Sequence, residues 1–131
     1  MFYFWIILGG AIGTLARYGL NNFVTAHLGG HFPWGTLVIN ITGSFAIGFF
    51  ATLTGPDGKY VVGPGGKLFF MTGICGGYTT FSAFSLQTLE LARGGEWLRV
   101  GSYVVSSVVL ALFAVWLGHV AALAVNASKG A

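Results

Sequence analysis

Residues 76 to 84 read GGYTTFSAF, inside a stretch otherwise apolar enough to cross a membrane. Gly76 and Gly77 accept backbone angles that other residues resist, and the hydroxyls of Thr79 and Thr80 compete for local backbone bonds. The spacing predicts a helix that breaks or unwinds around Gly76 to Thr80. Broken backbone is tolerated at membrane depth only when it is buried in protein or lines a cavity, where its freed carbonyls can hold a cation. Beyond the break, Phe81 and Phe84 stand three apart on one face of the resumed helix, either as plain core aromatics or as rings facing a path.

Other polar groups fall inside apolar runs, where their cost makes them candidates for function. Arg17 lies late in the first run and either snorkels to the interface or supplies positive potential to a vestibule. Asn40, within GTLVINITGSF, offers two amide donors and a carbonyl acceptor, and serves either as glue between helices or as part of a site. Tyr103 and Ser107 share a face, i to i+4, with Ser106 beside them. The three acids lie elsewhere: Asp57 and Glu96 in loops, Glu90 near a helix end. A proton-coupled carrier commonly relies on a carboxylate or histidine at depth, and only His119 offers itself.

Several motifs are excluded. The stretches from Gly55 to Lys59 and from Gly63 to Lys67 lack the glycine spacing of a phosphate loop, and Tyr60 and Leu68 stand where Ser or Thr belongs. Cys75 is the single cysteine, so no disulfide framework forms within one chain. His27 and His31 flank two loop glycines and read as interfacial residues rather than metal ligands. Asn40 to Thr42 matches a glycosylation triplet at a depth no glycan reaches. No constellation of nucleophile and base appears, so no enzyme is expected.

The elements that must carry these groups follow from composition. Of 131 residues, 55% are hydrophobic and 7% charged, against about 25% charged in an ordinary soluble domain. A span needs about 20 apolar residues. Four stretches qualify, at about 2–26, 34–54, 68–92 and 98–125. The chain therefore reads as a single all-α transmembrane domain, residues 1–131, with four helices, the third broken. The first run lacks the basic start and small-residue cleavage site of a signal peptide. With four spans, Lys59, Lys67 and Lys129 fall on one side, and Arg93, Arg99 and, by leaning, Arg17 on the other. The balance is even, so the charge rule sets no orientation, and dual topology with an antiparallel pair of copies is one outcome. Small residues four apart, Gly9 and Gly13, Ser44 and Gly48, Ser102 and Ser106, suit close helix contact within or between chains.

Three stretches, GGAIGTLARY (Gly9 to Tyr18), WGTLVINITGSFAIG (Trp34 to Gly48) and GICGGYTTFSAF (Gly73 to Phe84), resemble the fluoride channels of the Fluc (CrcB) family. Size and span count match over the whole chain, and the fourth span matches only through Tyr103 and Ser107. The resemblance implies a dual-topology homodimer in the bacterial inner membrane that lets fluoride leave passively through two antiparallel pores. It implies that Gly76 and Thr79 give backbone carbonyls to a central structural sodium ion shared by both copies. Phe81 and Phe84 would be the rings along the fluoride path, Asn40 a donor beside it, and Arg17 a cation near the pore mouth. Ser82, Tyr103 and Ser107 would belong to a polar track. The partners implied are fluoride, a second copy and the lipid bilayer, with no nucleic acid. Two positions depart from the family pattern: Ala83, where Thr is frequent, and Ala111, where a hydroxyl is frequent.

Fluoride is small and strongly hydrated, so compact donors must replace its shell. Aromatic ring edges carry partial positive charge and can face an anion without gripping it. The alternatives are a small dual-topology multidrug transporter, which needs a deep carboxylate in its first span, and a non-transporting membrane scaffold, which leaves the broken helix and Asn40 without a task.

Overall fold

Long apolar runs close their own backbone hydrogen bonds as helices, and helices are what the computed structural model holds throughout the residues it describes, 2–128. In chain order they are α1 (Phe2–Leu28), α2 (Trp34–Leu53), α3 (Pro64–Lys67), a π-helix (Leu68–Cys75), α4 (Gly76–Tyr78), α5 (Phe81–Arg93) and α6 (Trp97–Ser128). The first, second and fourth predicted stretches become α1, α2 and α6, with ends shifted by up to three residues. The third becomes the π-helix, α4 and α5. Lys129, counted in the charge balance, lies outside the described residues.

α2 and α6 are long and apolar enough to cross a membrane by themselves. α1 has the length, 27 residues, or about 40 Å at 1.5 Å per residue, but its glycines and Arg17 dilute its hydropathy. Large apolar side chains cover the outside: Val61, Leu98, Tyr3, Leu15 and Ile7 are all exposed. An apolar surface this extensive on a water-facing monomer would be an aggregation liability.

Two pairs of elements carry the packing, α2 with α6 and α1 with the π-helix and α4. Both rest on missing side chains. A Cβ at Gly73 would stand 2.9 Å from the Gly9 Cα, and one at Gly77 would stand 2.6 Å from the Gly10 carbonyl. A Cβ at Gly13 would come 2.8 Å from the Tyr78 amide. On the other pair, a Cβ at Gly118 would meet the Phe45 carbonyl, and one at Gly48 the Val115 carbonyl. Gly9, Gly13 and Gly48 are therefore spent on contacts within the chain. Ser106, by contrast, bonds back to the Ser102 carbonyl of its own helix.

The connections are short and locally tied. Gly29 (φ +85°) ends α1 and Gly95 (φ +74°) turns α5 into α6, each in the left-handed region that glycine tolerates. Asn126 of α6 holds the longer loop: its Oδ1 accepts from the Lys59 amide at 2.6 Å, and its Nδ2 donates to the Thr52 carbonyl at 3.2 Å.

Candidate functional site at the broken third segment

The third segment does break, two residues later than its glycines. Gly76 keeps helical angles (φ −64°, ψ −37°), whereas Thr79 (φ −80°, ψ 158°) and Thr80 (φ −152°, ψ 120°) are extended. Gly76 and Gly77 are thus part of the helical turn, and Gly77 serves by letting α1 approach rather than by adopting unusual angles. The two threonines make the break and dress its ends. Thr79 Oγ1 donates to the Cys75 carbonyl at 2.9 Å, and Thr80 Oγ1 caps α5 by accepting from the Ala83 amide at 3.1 Å.

Neighbouring helices supply the bonds the break gives up. Asn40 of α2 pairs with both backbone groups of Thr80: its Nδ2 donates to the carbonyl at 3.0 Å, and its Oδ1 accepts from the amide at 2.8 Å. The Thr80 amide goes to Asn40, so the Gly76 carbonyl loses the donor that a continuing α-helix would bring it. Arg17 of α1 donates from Nε to the Gly77 carbonyl at 3.0 Å and is half-buried. The arginine is therefore turned inward onto the break.

Around the break lies a cavity of about 430 Å³. Asn40, Gly76, Thr79, Thr80, Phe81, Phe84 and Ser107 all line it, with Ala111 further along α6. The lining contains no carboxylate, lysine or arginine. Phe81 and Phe84 stand with ring centroids 5.4 Å apart, and Phe84 leads on to Tyr103 at 5.0 Å. Phe81 is 77% exposed. Ser107 is the opposite: its hydroxyl is buried and has no hydrogen-bond partner among the described residues. Such a group costs roughly 1–3 kcal/mol unless something in the cavity accepts or donates to it.

Tyr103 is fully buried and closes the line of rings. Its hydroxyl donates to Gln87 Oε1 at 2.8 Å, and its ring meets Phe32 edge-on. The sequence reading missed Gln87, although its place six residues after Phe81, on the helix that carries the rings, was available as a signal. Ser82 is exposed beside the cap, its hydroxyl 3.3 Å from Thr80 Oγ1. Six of the nine predicted site residues thus share one cavity. Tyr103 adjoins it through Phe84, Arg17 reaches the break from behind, and Ser82 sits at the edge. At Ala83 the backbone amide is the working group, since it takes the Thr80 cap.

Residues 4–119 match the family described as CrcB-like protein, Camphor Resistance (CrcB). The chain is 59% identical over 128 residues to a protein of Opitutus terrae, covering 98% of this chain and 97% of that one. It is 56% identical over 131 residues to one of Methylocella silvestris, covering both in full. A third, from Rhodospirillum rubrum, is 55% identical over 126 residues, 96% of this chain and 98% of the relative. All three relatives bear the name fluoride-specific ion channel FluC. The chain belongs to the CrcB-like family.

Proposed function

From membership in that family, we propose that this chain forms a passive, fluoride-selective channel in a bacterial inner membrane, lowering cytoplasmic fluoride. Two copies associate in antiparallel orientation and enclose two pores. The observation that carries the reading is the stitched break: Asn40 and Thr80 hold the backbone open while Phe81, Phe84 and Ser107 face one cavity with uncharged walls.

The chemistry follows from that wall. A fluoride ion leaving water must be offered compact donors, and the partnerless Ser107 hydroxyl is one. Asn40 Nδ2 spends one hydrogen on the Thr80 carbonyl and keeps a second. The edges of the Phe81 and Phe84 rings solvate an anion weakly. Conduction needs binding firm enough to enter and weak enough to leave, and a lining without fixed positive charge meets the second need. Arg17, one layer behind, biases the region toward anions without forming an ion pair on the path.

Two further features support a pair of copies. The even Lys/Arg balance allows both insertions, and the cavity opens onto an outer face where Phe81, Val108 and Leu112 are exposed. The Gly76 and Thr79 carbonyls, freed by the break, offer a hard, neutral oxygen set that suits sodium better than a divalent transition metal. One chain supplies too few such oxygens for a full shell, so they fit an ion shared by two copies. When bound, that ion would tie the two breaks together.

The test is reconstitution into potassium-loaded liposomes with a fluoride electrode outside. Valinomycin should trigger fluoride release, and chloride-loaded vesicles should give no chloride release. If correctly folded dimer gives no release above protein-free vesicles, the channel reading is wrong.

A further inference from the structure

Beyond Tyr103 and Gln87 lies a second cavity, of about 450 Å³, between the end of α1, the start of α2 and the turn from α5 to α6. Gln87 forms its inner wall, and Asn21, Thr25, His31, Glu90, Glu96 and Arg99 stand around it. Tyr103 joins the two cavities: its ring packs on Phe84, which lines the first, and its hydroxyl bonds Gln87, which lines the second. Gln87 accepts that bond through Oε1, so its NH2 keeps both hydrogens for other acceptors.

The charges of this second cavity are arranged with care. Arg99 is its one cation among lysines and arginines, and Glu96 covers it, Nη1 to Oε1 at 2.6 Å. The same Nη1 reaches the His31 carbonyl at 3.3 Å. Counting Glu90 as well, the ionised side chains other than His31 sum to one negative charge. An anion arriving here meets a guanidinium already masked by a carboxylate.

The geometry points to this cavity as the outer mouth of the anion path, with the Glu96–Arg99 pair setting how fast anions are captured from that side. The assignment rests on the fluoride-channel reading and deepens it. Glu96 restrains capture by neutralising Arg99, and Gln87 offers the first donor past the mouth. Because the pair is about two-fifths exposed on each side, water and salt screen it. A unit charge within roughly 8 Å of an ion in water changes local anion concentration about twofold when the Debye length is about 30 Å, and hardly at all when it is about 3 Å.

The experiment is single-channel fluoride current in planar bilayers, with fluoride held low and ionic strength raised by an impermeant salt. Wild type is compared with Glu96→Gln, Arg99→Gln and Glu90→Gln, each checked for dimer size. At low ionic strength Glu96→Gln and Glu90→Gln should raise the current about twofold and Arg99→Gln should lower it by a similar factor. All four proteins should converge in molar salt. If wild type conducts and the variants match it at every ionic strength, the mouth is elsewhere. Changes that share one sign, or that persist in molar salt, would mean a structural effect and would equally overturn the assignment. If wild type itself passes no fluoride, the channel reading fails and not the placement of the mouth alone.

Discussion

Replacing Asn40 by Asp separates its two tasks. The substitution keeps the shape and one acceptor, so the Thr80 amide still finds an oxygen at about its present 2.8 Å. The other arm turns from donor to acceptor and faces the Thr80 carbonyl, now 3.0 Å from Nδ2. Losing that bond and leaving the carbonyl unsatisfied costs roughly 1–3 kcal/mol of stability. Asn40→Ala removes both bonds and costs about twice as much. The effects on flux run in the reverse order. A carboxylate about 5 Å from a passing anion, at an effective dielectric near 20, opposes it by about 3 kcal/mol, roughly a hundredfold in rate. Asn40→Ala lacks that charge and should retain more current per folded dimer. Thermal unfolding in detergent reads the stability, and single-channel current reads the path. Should the Asp variant conduct like wild type, Asn40 is not beside the path; should the Ala variant unfold at the wild-type temperature, the amide does not splint the break.

Three further outcomes follow from the same structure. Ser107→Ala removes a buried hydroxyl without a partner, so it should leave stability unchanged or raise it by up to about 1 kcal/mol while reducing fluoride current; lower stability with unchanged current would contradict both halves. Phe81→Ile or Phe84→Ile should slow electrode-measured fluoride release at least severalfold with the dimer intact by size-exclusion chromatography, and wild-type release in both would take the rings off the path. Gly118→Ala presses a methyl onto the Phe45 carbonyl of α2 and should cost about 1–3 kcal/mol, seen as an earlier unfolding midpoint, whereas Gly10→Ala, where a Cβ meets nothing within 4 Å, should be neutral.

The helices and the existence of the break could be read in the sequence because both are local. Apolar length gave the runs, and Thr-Thr after Gly-Gly marked a weak helix. The position of the break could not be read, because two glycines and two threonines are all poor helix formers. What decides between them is tertiary: α1 needs Gly77 flat against the Gly10 carbonyl, and α2 brings Asn40 to the Thr80 peptide. Arg17 was ambiguous for the same reason, since its partner carbonyl lies sixty residues away. Gln87 was missed because a glutamine in the middle of α5, six residues from either end, looks like any surface residue until Tyr103 is folded onto it.

The manner of the splint also bears on the kind of ion path this site can be. A freed peptide inside a membrane could be satisfied by a carboxylate or a lysine as well as by an amide. A carboxylate would answer only the N–H and would repel anions; a lysine would answer only the carbonyl and would hold an anion too tightly to release it. The asparagine amide answers both the N–H and the C=O of Thr80 and adds no charge. Arg17, which does bring charge, is placed on the Gly77 carbonyl from α1 rather than in the lining of the cavity. Neutral support at the wall with positive charge one layer behind suits the passive passage of a small anion proposed above. A carrier that must couple its cargo to a proton commonly relies on a carboxylate or histidine, and that lining holds neither.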